Sequence, residues 1–266
     1  MSIETPDKFT TRSSQTPLSD WLDSEQGRYI LRWEQMKVSR IVSDIFGFNA
    51  LQIGLPEIDF LAGNRIPLHL HIGDIQQVDQ AQKQGGTVSL KGIDLLCELP
   101  ELPFAANSID LVVLTHALEF HPHPHHLLRE VERVLMPEGK LVIVGFNPFS
   151  LWGLRRQLPK SDAGGPWEGR FIGLPRLKDW LALLNLDIDR GHFGCYAPPF
   201  RSSDWLARCA WMEKAGDRWW PIAAGVYVVR AIKRVHGLRL IKPRWRSATA
   251  PRKLFTTAVR KLRPHD

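Results

Sequence analysis

Apolar residues follow two different rhythms along this chain. Tyr29, Ile30, Trp33, Val38, Ile41, Val42 and Ile45 recur at three- and four-residue intervals, which predicts an amphipathic helix stopped at Gly47. Short apolar runs follow. Ala50–Ile53 predicts a buried strand ending at Gly54, and Leu68–Ile72 a second strand ending at Gly73-Asp74. Thr87–Leu90 predicts a third, and Leu95–Phe104, with Pro100 and Pro103, reads as loop. Ile109–Leu114 is apolar enough for a strand covered on both faces. Leu127, Leu128, Val131, Val134 and Leu135 then form a helical stripe, with Pro124 placed to open that helix and Pro137-Glu-Gly139 to end it. Leu141–Val144 is strand again. Strand, helix and strand with short turns make a βαβ unit, hence a parallel sheet.

Beyond it, 147–173 reads as an irregular insertion rich in Gly, Pro, Arg and Trp. A helix is expected over Leu177–Leu184, a strand over Leu186–Phe193, a helix over Asp204–Lys214 and a last strand over Gly225–Ile232. Residues 1–17 are polar and aperiodic, and read as a disordered start without the apolar core of a secretory signal.

Composition changes this picture little. Of 266 residues, 44% are hydrophobic and 24% charged, as in ordinary globular chains. No run is long and apolar enough to span a bilayer. Cys97, Cys195 and Cys209 are far apart and odd in number, which argues against a disulfide framework and points to a reducing, cytoplasmic setting. The charge is uneven. Twelve Lys/Arg and one acid lie between Arg230 and Asp266, while the rest of the chain is mildly acidic. Residues 243–266 therefore read as a basic tail suited to nucleic acid or an anionic membrane surface, or simply as a solubilising end.

The middle of the chain carries a series of motifs: Leu102-Pro-Phe104, Ser108-Ile-Asp-Leu111, Leu127-Leu-Arg-Glu-Val131 and Arg133-Val-Leu-Met-Pro-Glu-Gly139. This series resembles the second half of the class I S-adenosylmethionine-dependent methyltransferases, type-11 group, most strongly over 98–147. The N-terminal helix with Trp33 and the Asn147–Trp152 run resemble an uncharacterised bacterial branch of that group. The resemblance implies an α/β, Rossmann-like fold: a seven-stranded, mostly parallel sheet with helices on both faces. It would occupy 18–242, with an N-terminal helical arm at 18–47. It also implies methyl transfer from S-adenosyl-L-methionine to a small-molecule or macromolecular acceptor. In that frame Gly54 lets the backbone approach the cofactor, Asp74 meets the ribose, Glu98 the adenine amino group, and Leu99 the adenine face.

The chain departs from the family in its first loop. Gln52-Ile-Gly-Leu-Pro-Glu-Ile-Asp59 has one glycine where the family has several, and Gln52 replaces an acid. That departure makes a non-catalytic binding or regulatory protein on the same scaffold the alternative reading. Five histidines crowd His116–His126. Their spacing lacks a metal-binding signature, and a surface loop leading into a helix is the plain reading. His116, which follows a buried strand, is the candidate catalytic base or positioning group. Asp110 reads as structural, and Arg129, Glu130 and Arg133 as an exposed ion-pair face. Trp152, Trp167, Trp219 and Trp220 read either as core plugs or as an aromatic lid.

Overall fold

The computed structural model describes residues 13–14, 17–83, 87–88, 90–157, 165–199, 203–209 and 211–234. Residues 243–266 and most of 1–17 lie outside the described residues. Two short pieces at the start are ordered: Ser13–Ser14 pairs in parallel with Thr87–Val88, and Pro17 opens a helix.

The centre is a seven-stranded sheet. In chain order its strands are β1 (Asn49–Gly54), β2 (Leu68–Asp74), β3 (Leu95–Cys97), β4 (Ile109–Thr115), β5 (Leu135–Phe146), β6 (Leu186–Gly194) and β7 (Val226–Lys233). Their order across the sheet is β3-β2-β1-β4-β5-β7-β6. β7 alone runs antiparallel to its neighbours. β1 lies beside β4 in parallel, Ala50 opposite Leu111 and Gly54 opposite Thr115. The sheet reverses between β1 and β4, and a crevice opens outside the carboxyl ends of such strands.

Successive strand residues face opposite sides, so each strand feeds two cores. Leu51, Ile53, Val112, Leu114, Leu141 and Ile143 face one side. There they meet the stripes of α5 (Pro124–Val134) and α7 (Leu174–Leu183). Ala50, Leu111, Val113, Val142 and Val144 face the other. That side is covered by α1 (Pro17–Leu22) and α2 (Glu25–Val42), with Ile30, Val38, Ile41 and Val42 buried. Each such aliphatic side chain contributes about 1.5–3 kcal/mol on burial.

The α2 helix is tied to distant parts of the chain. Gln26 Nε2 donates to Pro199 O at 2.8 Å, and Tyr29 donates its hydroxyl proton to Glu213. The Glu213 carboxylate also accepts from the amides of Cys195 and Tyr196.

Several sequence expectations need correction. The third strand of the main sheet is Leu95–Cys97, within the expected loop. Thr87–Val88 joins Ser13–Ser14 instead. α2 ends at Val42 with Ser43 as its cap, before Gly47. α5 ends at Val134, and Leu135 passes straight into β5, so Pro137-Glu-Gly139 lies within a strand rather than at a helix end. The 147–173 insertion contains α6 (Leu151–Gln157) and a 3-10 turn at Gly165–Glu168. The single helix expected over 204–214 is two, α8 (Ser203–Arg208) and α9 (Trp211–Trp219).

Candidate functional site

Gly54, Asp74, Glu98 and Leu99 all lie at the carboxyl ends of β1, β2 and β3, while His116 follows β4. Gly54 has φ of 114°, and a Cβ there would stand 2.0 Å from Thr115 O. The glycine is thus demanded by the close approach of β4 as well as by its own backbone. Asp74 is buried and accepts from the Gln76 amide at 2.9 Å. Burial, aided by the neighbouring Glu98, raises its pKa, while that amide and His121 pull the other way. Burial and the Asp74 charge push the Cys97 thiol up to about 11, so it is uncharged at neutral pH. Glu98 is exposed, one residue beyond β3. Leu99 is buried in the core. Glu130 and Arg133 support the loop that follows. Arg133 donates to the carbonyls of Leu102 and Phe104 at 2.9 Å each, while Glu130 accepts from the Leu102 amide. This pair is a loop clamp, beyond the surface ion pair expected.

Between β1 and β2 no helix forms. The irregular stretch 55–67 is organised by Gln52. Its amide nitrogen donates to Leu55 O at 2.9 Å and Ile58 O at 2.6 Å, and its oxygen accepts from Phe60 N at 2.9 Å. Leu55 N donates to Thr115 Oγ1 at 3.1 Å. An acid at position 52 could accept from Phe60 but could not donate to the two carbonyls. The departure at Gln52 is therefore coupled to the conformation of the whole loop.

His116 does not face the crevice as a free base. It is 1% exposed, in the left-handed region at φ 55°, and both ring nitrogens are occupied. Nδ1 lies 2.8 Å from Glu119 Oε2, and Nε2 lies 2.9 Å from Glu34 Oε1. Burial alone would lower its pKa, but the two carboxylates outweigh burial and raise it to about 10. The ring is an imidazolium at neutral pH and has no lone pair with which to take a proton. Of the two roles read from the sequence, only positioning suits this geometry. Glu119 also accepts from the Phe146 amide, and the ring stacks on Phe146 at 4.5 Å.

Glu34 is absent from the residues singled out in the sequence. Its signal was present, since it stands four residues after Ile30 and four before Val38, on the buried face of α2. Asp110 is structural as expected, accepting from the amides of Phe48 and Asn49 at 2.8 and 3.0 Å. Trp152 is fully buried, stacked on Trp167, and donates to Ala197 O. Trp219 and Trp220 are exposed. Among the described residues, no three His, Cys, Asp or Glu side chains converge as metal ligands. Nor is any described helix long and apolar enough to cross a membrane.

Residues 72–143 match a family model described as "Methyltransferase domain". The strand order, with its single antiparallel strand next to the edge, agrees with that match. The chain has an α/β, Rossmann-like fold whose central segment is similar to methyltransferase domains. An Escherichia coli protein, "Uncharacterized protein YafS", is 32% identical over 168 residues, which cover 63% of this chain and 65% of that one. The chain thus matches slightly less than two thirds of that relative's length. Among solved structures, a chain from the complex containing the Haloferax volcanii Trm112 methyltransferase activator superposes with a TM-score of 0.52. It is 13% identical, and the match covers 82% of this chain and 96% of that one. An S-adenosylmethionine dependent methyltransferase from Mesorhizobium loti is 14% identical with a TM-score of 0.49, covering 79% and 99%.

The adenosine half of the cofactor that this methyltransferase fold implies suits the residues present. Ribose hydroxyls and an adenine amino group are donors, and Asp74 and Glu98 offer carboxylate acceptors at adjacent strand ends. The loop after β1 is different, because Leu55 N is already satisfied by Thr115 and Pro56 has no N–H to offer.

Proposed function

We propose that this protein binds S-adenosyl-L-methionine at the carboxyl ends of β1–β3 and transfers its methyl group to an acceptor held above β4 and β5. The observation that carries this reading is the pair of acids on adjacent strand ends, Asp74 buried and Glu98 exposed, on a sheet of this order. Asp74 receives the ribose hydroxyls, Glu98 the adenine amino group, and Leu99 backs the pocket from the core. Gly54 brings β1 against Thr115 and so sets the position of the first loop. His116 is a positioning residue that fixes α4 (Ala117–Phe120) to β4 through Glu119. The cofactor, when bound, supplies an electrophilic methyl group on sulfur. The protein's part is to align the acceptor with it and to exclude water.

Calorimetry of the full chain with S-adenosylhomocysteine tests the reading. Saturable binding that weakens in Glu98→Ala is expected, and no binding at millimolar ligand overturns it. The second reading, a binding or regulatory protein on the same scaffold, is favoured by one observation. The first loop spends its Leu55 amide and its Gln52 side chain on itself. Absence of cofactor binding in a folded protein would establish it. The basic residues of 243–266 are proposed as a contact for nucleic acid or an anionic membrane surface. A salt-dependent gel shift that vanishes on removing 242–266 would support the nucleic-acid case.

A further inference from the structure

The histidine-rich loop after β4 and the segment after the 3-10 turn face each other across a cleft of about 180 Å³. Its walls include His121, Arg170, Phe171, Arg176 and Trp180, together with the first turn of α5. Arg170 and Arg176 are both exposed, and neither has a carboxylate within ion-pair distance among the described residues. Arg176 lies over the Trp180 ring at 5.0 Å, and the His125 ring packs against the same indole, centroids 3.9 Å apart and tilted by 58°. The amino end of α5 adds its partial positive charge to the same space.

A second and independent feature lies deeper. His121 is 2% exposed, and its Nδ1 accepts from the His123 amide at 3.0 Å. The proton of the neutral ring therefore sits on Nε2. That Nε2 is buried and has no hydrogen-bond partner among the described residues. A buried donor left unmatched costs free energy that a ligand acceptor would recover. His121 also lies close enough to Asp74 for their charges to interact, which links one wall of the cleft to the strand-end acids.

We propose that this cleft is the acceptor subsite and that it selects a planar or apolar body carrying a carboxylate or phosphate group. The Arg170 and Arg176 guanidinium groups, without a carboxylate partner among the described residues, and His121 Nε2–H would hold the anion, with Trp180 and Phe171 against the ring. Its size is of the order that admits one benzene ring. The acceptor role rests on the methyltransferase reading, whereas the recognition of an aromatic anion does not.

Saturation-transfer NMR on the full chain, without cofactor, separates the two. Phenyl phosphate and benzoate are the probes, with benzyl alcohol as the neutral control. Binding of both anions in about the millimolar range, and not of the alcohol, is expected. Arg170→Ala/Arg176→Ala should weaken the anions about tenfold or more, with an unchanged melting curve because both side chains are exposed. His121→Phe should weaken them about threefold or more. No anion binding, equal binding of the alcohol, or anion binding untouched by the double substitution overturns the proposal. Phenyl phosphate and S-adenosylhomocysteine should bind together. Competition between them would place the cleft within the cofactor's own site and overturn the acceptor assignment. Loss of homocysteine-ligand binding with anion binding intact would instead sink only the methyltransferase reading.

Discussion

Glu34 Oε1 lies 2.9 Å from His116 Nε2, joining two buried side chains 82 positions apart in the chain. With Glu119 on the other ring nitrogen, a single imidazolium binds helix α2, strand β4 and the start of α4. Removing one member of such a buried ionic group strands the others. His116→Leu leaves two carboxylates facing an apolar side chain, and should cost about 3–5 kcal/mol. Urea denaturation of the variant against the parent protein measures this.

The same ring makes stability fall on the alkaline side. The folded pKa of His116 is raised from 6.5 to about 10, so its contribution is complete below pH 6.5 and is lost as pH rises through about 10. Stability should decline over that interval, and the difference between parent and His116→Gln should shrink with it. Unfolding free energies at several pH values between about 6.5 and 8, before the cysteines and tyrosines titrate, would check the slope. A constant difference would exclude a charged His116.

Gln52→Glu introduces the acid that the resemblance to methyltransferases leads one to expect at this position, yet it should destabilise this chain. The substitution removes the donor to Leu55 O and Ile58 O and places a carboxylate against two carbonyls. A loss of about 1–3 kcal/mol or more is expected in thermal melts. The change should not improve binding of S-adenosylhomocysteine.

Gly54→Ala combines a left-handed backbone with a collision, since the new Cβ meets Thr115 O at 2.0 Å. Backbone strain alone costs of order 1–3 kcal/mol. The variant should be poorly folded even without ligand, as circular dichroism and melting curves would report. A stable Gly54→Ala protein would show that β1 and β4 part easily at this end.

Glu98→Ala and Asp110→Ala should fail in opposite ways. Glu98 is exposed beyond β3, and its loss should weaken S-adenosylhomocysteine about tenfold while leaving the melting temperature unchanged. Asp110 caps two backbone amides at the start of β1, so its loss should lower stability and leave affinity alone. Calorimetry and melting of both variants decide the matter.

The sheet was legible because period-two and fully apolar runs leave few alternatives. β1, β2, β4, β5, β6 and β7 all fall where the sequence indicates, and Pro124 opens α5 as expected. β3 was missed because Leu95–Cys97 is three residues long and is followed by Pro100 and Pro103, which local rules read as loop. The site was less legible. Gly54, Asp74, Glu98 and Leu99 do gather at one end of the sheet. The engagement of His116 by two carboxylates was hidden, because Glu34 sits on a helix far away in sequence and reads as one polar break in an apolar stripe. His121 was hidden for a similar reason: a histidine in a run of histidines and prolines gives no local sign of being buried.

The contacts of α2 also carry a consequence for the order of events during synthesis. Gln26 bonds to a carbonyl 173 residues away, and Tyr29 to a carboxylate 184 residues away. This helix leaves the ribosome early, but the polar partners of Gln26 and Tyr29 near its start are made much later. Closing loops of that length is entropically costly and slow relative to local pairing. The first turns of α2 are therefore among the last parts of the helix to be tied down, waiting until residues 195–213 have been made, while its apolar face can pack on β1, β4 and β5 well before then.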